Sequence, residues 1–161
     1  MSKKAIESIA ESSGAESGVL VGRVDHALDP KKRLTIPSEW REVMGCPDYV
    51  YVMPDRKEKC LNLVPKAEME MRLGKLREKA LFDPALNRAL QTIGENAQQL
   101  VLDVQGRIRI GDGLLRFANL TTTVAMVGAV RMIKLWSPEA LSPQGDVEQA
   151  ALDSALEAVG F

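Results

Sequence analysis

The stretch Leu28-Asp29-Pro30-Lys31-Lys32-Arg33-Leu34-Thr35-Ile36-Pro37 decides how this chain is read. Asp29-Pro30 is a turn-forming pair: Pro presets φ, and an Asp carboxylate accepts bonds from backbone amides two residues on. Arg33 to Ile36 reads as a strand that Pro37 stops, and Val19 to Leu28 before the turn is strand-like as well. Lys31, Lys32 and Arg33 are thereby set side by side at a loop tip between two strands.

Working outward, Ser38 to Met44 fits a short helix closed by Gly45. Tyr49 to Met53 and Cys60 to Val64 form a hairpin around the polar Asp55 to Lys59. From Pro65 the period changes, with Met69, Leu73, Leu76 and Ala80 on one helical face. Asp83-Pro84 opens a second helix as N-cap and first residue, with Leu86, Leu90 and Ile93 as its stripe. Strand character returns at Gln99 to Leu102 and Arg107 to Ile110, followed by a short helix through Leu114 and Leu115. Thr121 to Met126 and Arg131 to Trp136 make a second hairpin around Gly128, and Val147 to Val159 reads as an acidic, Ala-rich helix.

Strand, turn, strand, short helix, hairpin therefore occurs twice, which points to an internal repeat. Laying Leu28-Asp29 on Leu102-Asp103 puts Arg33 on Arg107, Leu34 on Ile108, Ile36 on Ile110 and Val50 on Val124. A slightly shorter second hairpin then brings Leu61-Asn62-Leu63 onto Ile133-Lys134-Leu135.

With 161 residues, 45% hydrophobic and 27% charged, the composition fits one soluble globular unit or two small ones sharing a core. Aromatics are 4%, so the core rests on aliphatic side chains. No apolar run approaches the ~18 residues of a membrane span. Met1 to Gly18 lacks the apolar centre of a secretory signal and reads as a disordered arm. Two cysteines, Cys46 and Cys60, without secretory context indicate reduced thiols in the cytoplasm and read as small apolar fillers. The net charge of −1 hides an uneven distribution, since residues 19–137 hold 19 basic and 14 acidic side chains. Residues 138–161 carry acids alone, from Glu139 to Glu157.

Each copy holds Asp, three residues, then Arg: Asp29 to Arg33 and Asp103 to Arg107. Both Asp residues are explained as loop-structuring groups that bind backbone amides and the following Arg. The basic residues have another use, since Arg and Lys are the types that contact phosphates and guanine edges. The first copy is the richer in charge, while the second has Val104-Gln105-Gly106 in its turn with Arg109 close behind. An aspartyl dyad from Asp29 and Asp103 would need one carboxyl kept protonated, whereas the Arg four residues on keeps each ionised. His26, Cys46 and Cys60 match no compact zinc spacing, and no glycine-rich phosphate loop occurs. The expectation is no enzyme, no cofactor and no metal.

Gly22 to Met44, GRVDHALDPKKRLTIPSEWREVM, resembles the opening of the MraZ family, bacterial regulators of the division and cell-wall gene cluster. Gly22, Leu28, Asp29, Lys31, Arg33, Leu34, Ile36, Pro37, Trp40 and Arg41 match that family's pattern. Asp103, Gly106, Arg107, Ile108 and Ile110 match its second copy, and Trp136 ends the hairpin; the similarity covers about residues 20–142. Three positions depart: Lys32 stands where the pattern has Gly, Gly111 where Pro is common, and Leu115 where the first copy has Arg41. The Lys32 turn is therefore expected to differ in geometry.

The resemblance implies a mainly β fold with accessory helices, two AbrB-like swapped-hairpin repeats forming one double-split β-barrel. The implied division is an arm at 1–18, a first repeat at 19–66, connecting helices at 67–96, a second repeat at 97–142 and an acidic C-terminal helix at 143–161. It further implies a cytoplasmic, nucleoid-associated transcriptional repressor or activator, a ring-shaped homo-oligomer on direct repeats of double-stranded DNA rich in TGGG. No membrane and no small-molecule substrate enter that picture. Carried over by position, Lys31, Lys32 and Arg33 would contact DNA with Arg23 as a further candidate, Arg107 and Arg109 would be second-repeat candidates, and Asp29 and Asp103 would shape the loops. The rival is an AbrB-like antitoxin or interaction module whose helix at Val147 to Phe161 captures a protein partner.

Overall fold

Alternation of apolar and polar residues sets the sheet framework in the computed structural model, whose described residues are 18–141 and 146–161. Strands β1 (Arg23–Ala27) and β2 (Arg33–Thr35) flank the first turn, followed by helix α1 (Ser38–Val43) and the hairpin β3 (Tyr49–Pro54) and β4 (Leu61–Pro65). Helices α2 (Lys66–Ala80) and α3 (Pro84–Asn96) pack against each other before β5 (Gln98–Val101), β6 (Arg107–Arg109) and helix α4 (Asp112–Phe117). The hairpin β7 (Thr123–Gly128) and β8 (Ile133–Trp136), a 3-10 turn at Pro138–Leu141 and helix α5 (Asp146–Ala158) complete the order.

The molecule is mainly antiparallel sheet. Six strands lie in the order β1-β7-β8-β4-β3-β5, and β2 and β6 form a separate two-stranded ribbon. Period-two burial on β3, with Val50 and Val52 inside and Tyr49 and Tyr51 half-buried, fixes its register against both β4 and β5. The core joins both sheets: Leu34 and Ile36 meet Ile108 and Ile110 beside Leu61, Leu63, Ile133 and Leu135, all at 1% exposure or less. Each such side chain contributes about 1.5–3 kcal/mol by leaving water. Lys134 Nζ reaches Asp55 at 3.0 Å, tying β8 to the β3–β4 turn.

Several expectations hold at residue level. Asp83 caps α3 by accepting from the Ala85 and Leu86 amides, with Pro84 as first helical residue. Met69 and Ala80 are the buried positions of the α2 stripe. Two expectations need correction. The strand expected over Val19 to Leu28 is ladder only from Arg23, because Gly22 turns left-handed at φ +93° and leaves Leu20 a lone bridge to Val130. Cys60 is a buried filler, but Cys46 is exposed, because Gly45 and Cys46 are both left-handed and end α1 on the surface. The arm expected at 1–18 lies outside the described residues apart from Gly18. No helix among the described residues is long and apolar enough to cross a membrane.

Candidate nucleic-acid interface

The β2–β6 ribbon has two unlike faces, because directly opposed residues in an antiparallel ladder point the same way. Leu34 opposite Ile108 faces the core. Arg33 opposite Arg109, and Thr35 opposite Arg107, face outward. The ladder continues past the strand ends, with the Ile36 amide donating to Gly106 O at 2.9 Å and the Ile110 amide to Lys32 O at 3.3 Å. Three arginines thus share one small face, and like charges so placed repel unless something offsets them.

Asp29 and Asp103 supply that offset. Asp29 Oδ1 accepts from the amides of Lys31 (2.9 Å) and Arg33 (2.8 Å), while Oδ2 accepts from Arg33 Nε at 2.6 Å. Asp103 repeats the arrangement with the Gln105 and Arg107 amides and with Arg107 Nε at 2.7 Å. The amide of the following Arg and the side-chain bond from its guanidinium hold each carboxyl below its ordinary range, against a raising effect of burial. Because Nε carries the internal bond, the two terminal nitrogens of each guanidinium keep their donors as a two-pronged end, and neither makes a further hydrogen bond among the described residues. That fork matches guanine O6 and N7 or two phosphate oxygens.

The turns themselves differ less than the residues in them. Lys32 replaces glycine yet stands left-handed at φ +60°, beside Gly106 at φ +76° in the other turn. The Lys32 and Gly106 amides donate to Asp29 O and Asp103 O respectively, both at 2.9 Å. The expectation of altered geometry is therefore corrected: the Asp cage holds the backbone in place and Lys32 accepts the strain. Around them the packing diverges. Arg41, whose Nε donates to Ile36 O, lies against Gly106 where a β-carbon would stand. Lys32 instead faces α4, where its Nζ pairs with Asp112 at 2.7 Å above an open cleft of about 600 Å³ lined also by Leu115 and Arg116.

The sequence candidates fall into two groups. Lys31, Lys32, Arg33, Arg107 and Arg109 sit on the ribbon or its turns, and Arg109 forms no ion pair among the described residues. Arg23 stands elsewhere, on an edge strand of the six-stranded sheet and bound to Asp25 at 2.8 Å. Sequence reasoning missed Asp112 as a partner of Lys32 and Arg41 as a partner of Gly106. The signal lay in the alignment of the two copies: Lys32 aligns with Gly106 and Leu115 with Arg41, so both members of one contact change together. No group of three or more potential metal ligands occurs among the described residues.

No family model matches the chain. Transcriptional regulator MraZ of Pseudomonas syringae pv. syringae (strain B728a) is 32% identical over 127 residues, covering 78% of this chain and 84% of that protein. Transcriptional regulator MraZ of Syntrophomonas wolfei subsp. wolfei is 27% identical over 139 residues, 86% and 95% of the two chains. That of Clostridium tetani is 26% identical over 121 residues, 75% and 83%.

Proposed function

Because the chain belongs to the MraZ family of transcriptional regulators, we propose that it binds double-stranded DNA through the outer face of the β2–β6 ribbon. Arg33 and Lys31 act from the first turn, and Arg107 and Arg109 from the second strand. The observation that carries this reading is the Asp29 cage: it fixes Arg33 through Nε, and the terminal fork makes no other hydrogen bond among the described residues. An antiparallel two-stranded ribbon fits the major groove, where Arg reads guanine bidentately. Lys31 and Arg109, which form no ion pair among the described residues, are suited to phosphates. Arg23 is a peripheral phosphate contact at most, given its bond to Asp25.

The finer picture is that of two swapped-hairpin repeats, 19–66 and 97–142, closing as a double-split barrel, with 67–96 as connecting helices. It is supported by the bond-for-bond likeness of the Asp29 and Asp103 turns and by the mutual pairing of β2 and β6. Assembled as a ring, copies of the chain present one ribbon each to tandem TGGG-type repeats, and avidity multiplies modest single contacts. The protein then works in the cytoplasm on the nucleoid, without a cofactor and without enzymatic activity. A second reading, capture of a protein partner by α5, is supported by the exposure of Leu152, Leu156 and Val159. Removing residues 144–161 separates the two: partner capture would be lost while DNA binding stays.

The test is fluorescence anisotropy of wild type and Arg33→Ala on a tandem-TGGG duplex and a scrambled one across a salt series. The expected loss is about 1–3 kcal/mol per engaged ribbon, with wild-type log K falling by about 0.9 per phosphate contact for each tenfold rise in salt. Equal affinity of the folded variant, or no preference for the repeats, would overturn the reading.

A further inference from the structure

Of the two ribbon turns, the first has a residue, Lys32, whose side chain is ion-paired with the opposite half of the chain. Its ammonium sits 2.7 Å from Asp112 Oδ1, and both side chains are more than half exposed, at 53% and 64%. The pairing is not needed to satisfy a buried group, since water reaches both. Nor does it build α4, whose first turn lacks a side-chain cap. It does place an anionic oxygen against a lysine in the turn that leads into the ribbon proposed to meet DNA. The surroundings of that oxygen are cationic: besides the bond from Lys32 and its charge, Arg116 and Arg109 lower the Asp112 carboxyl.

We propose that Asp112 is a positioning residue that stands in for a DNA phosphate. In the free protein it holds the Lys32 ammonium, and on binding Lys32 exchanges that carboxylate for a phosphodiester oxygen of the DNA backbone. The inference rests on the ribbon reading given above and adds to it how one contact is kept ready. Three consequences follow from the chemistry. The exchange trades one exposed ion pair for another, so the carboxylate weakens binding only by what the Lys32 pair contributes. Lys32 is held near its working position rather than sweeping out its full rotamer freedom, which lowers the ordering cost on binding. Wrong partners offering no anion at that point leave the pair closed, so the latch favours a backbone in the right register.

The other turn has no such device. Gly106 carries no side chain, and the guanidinium of Arg41 covers it. The latch is thus a property of the first turn alone and arises from the replacement of glycine by Lys32.

The test is a double-mutant cycle read by anisotropy, with wild type, Asp112→Asn, Lys32→Gln and the double variant on the tandem-repeat and scrambled duplexes. Both positions are exposed, and each variant is first checked for an unchanged melting transition. Asp112→Asn should tighten binding by about 1.5- to fivefold per engaged turn in the presence of Lys32, and the gain should vanish in the Lys32→Gln background. Lys32→Gln should reduce the salt slope by about 0.9 per engaged turn, and Asp112→Asn should leave it at the wild-type value. An equal gain on both backgrounds would mean that Asp112 acts only through the general field, and would overturn the proposal; so would no gain on either. Coupling that persists while the wild type shows no preference for repeats would overturn the operator reading alone. Failure to bind either duplex would overturn both.

Discussion

Arg41 lies across Gly106 so closely that a β-carbon on the glycine would collide with the guanidinium. The residues aligned with these two in the other half are Leu115 and Lys32, and neither repeats the contact. A side chain at 32 and an arginine at 115 would exclude each other, so the two departures form one exchange. One turn is closed by an arginine anchored on Ile36 O, the other by an exposed lysine–carboxylate pair.

Gly106→Ala should therefore destabilise the protein by about 2 kcal/mol, combining left-handed strain with loss of the Arg41 bond to Ile36 O. In the Arg41→Ala background the same change should cost about 1 kcal/mol, the strain alone. Urea unfolding of the four proteins measures this; strictly additive effects would show that Arg41 and Gly106 do not interact.

Lys32→Gly should move stability and affinity in opposite directions. Relief of the φ +60° strain outweighs the extra freedom of glycine in the unfolded chain, for a gain of about 0.5–1 kcal/mol. For a chain of this size that raises Tm by about 2–3 °C. DNA binding should weaken by the loss of one phosphate contact. A lowered Tm would show that the Asp112 pair outweighs the strain.

Acid sensitivity should concentrate at the β3–β4 turn. Burial alone would raise the Asp55 carboxyl, but the Lys57 amide, Asn62, the Glu58 amide and Lys134 outweigh it and hold it far below the ordinary carboxylate range. The folded state therefore binds fewer protons than the unfolded one. The stability it contributes is complete above the unfolded value of about 4 and is lost as pH falls below that. Asp55→Asn should lower stability by about 2 kcal/mol at pH 7 and flatten the fall between about pH 4 and 2. An unchanged acid limb in the variant would remove Asp55 from its cause.

The two thiols should report different events. Cys46 is exposed, whereas burial pushes the Cys60 thiol up to about 11. A disulfide reagent at pH 8 should label Cys46 in the native protein and Cys60 only with global unfolding. Equal labelling rates without denaturant would contradict the packing of β4.

Local chemistry made much of this structure readable in advance. Asp83-Pro84 announced the start of α3, the apolar spacing from Met69 to Ala80 announced α2, and two like hairpins announced β3–β4 and β7–β8. The Asp29 and Asp103 cages were also readable, since an Asx turn is a contact between near neighbours. What stayed hidden crosses between the halves: β4 against β8, Lys134 against Asp55, Lys32 against Asp112, and Arg41 against Gly106. Such contacts leave no periodicity behind, because they depend on how two hairpins are set against each other. Gly22 was similarly silent; a strand pattern does not reveal that one of its residues has turned left-handed.

The pairing of β2 with β6 bears on the life of the chain before it is complete. Arg33 takes its ladder partner from Arg109, so the first turn, with all its charge, has no backing while the ribosome has yet to deliver the second half. A nascent chain ending anywhere in α2 or α3 carries Lys31 and Lys32 but not the strand that pairs with β2. If the ribbon is the DNA-reading surface proposed above, that surface comes into being only once β6 has been synthesised, and a product truncated before it would lack it.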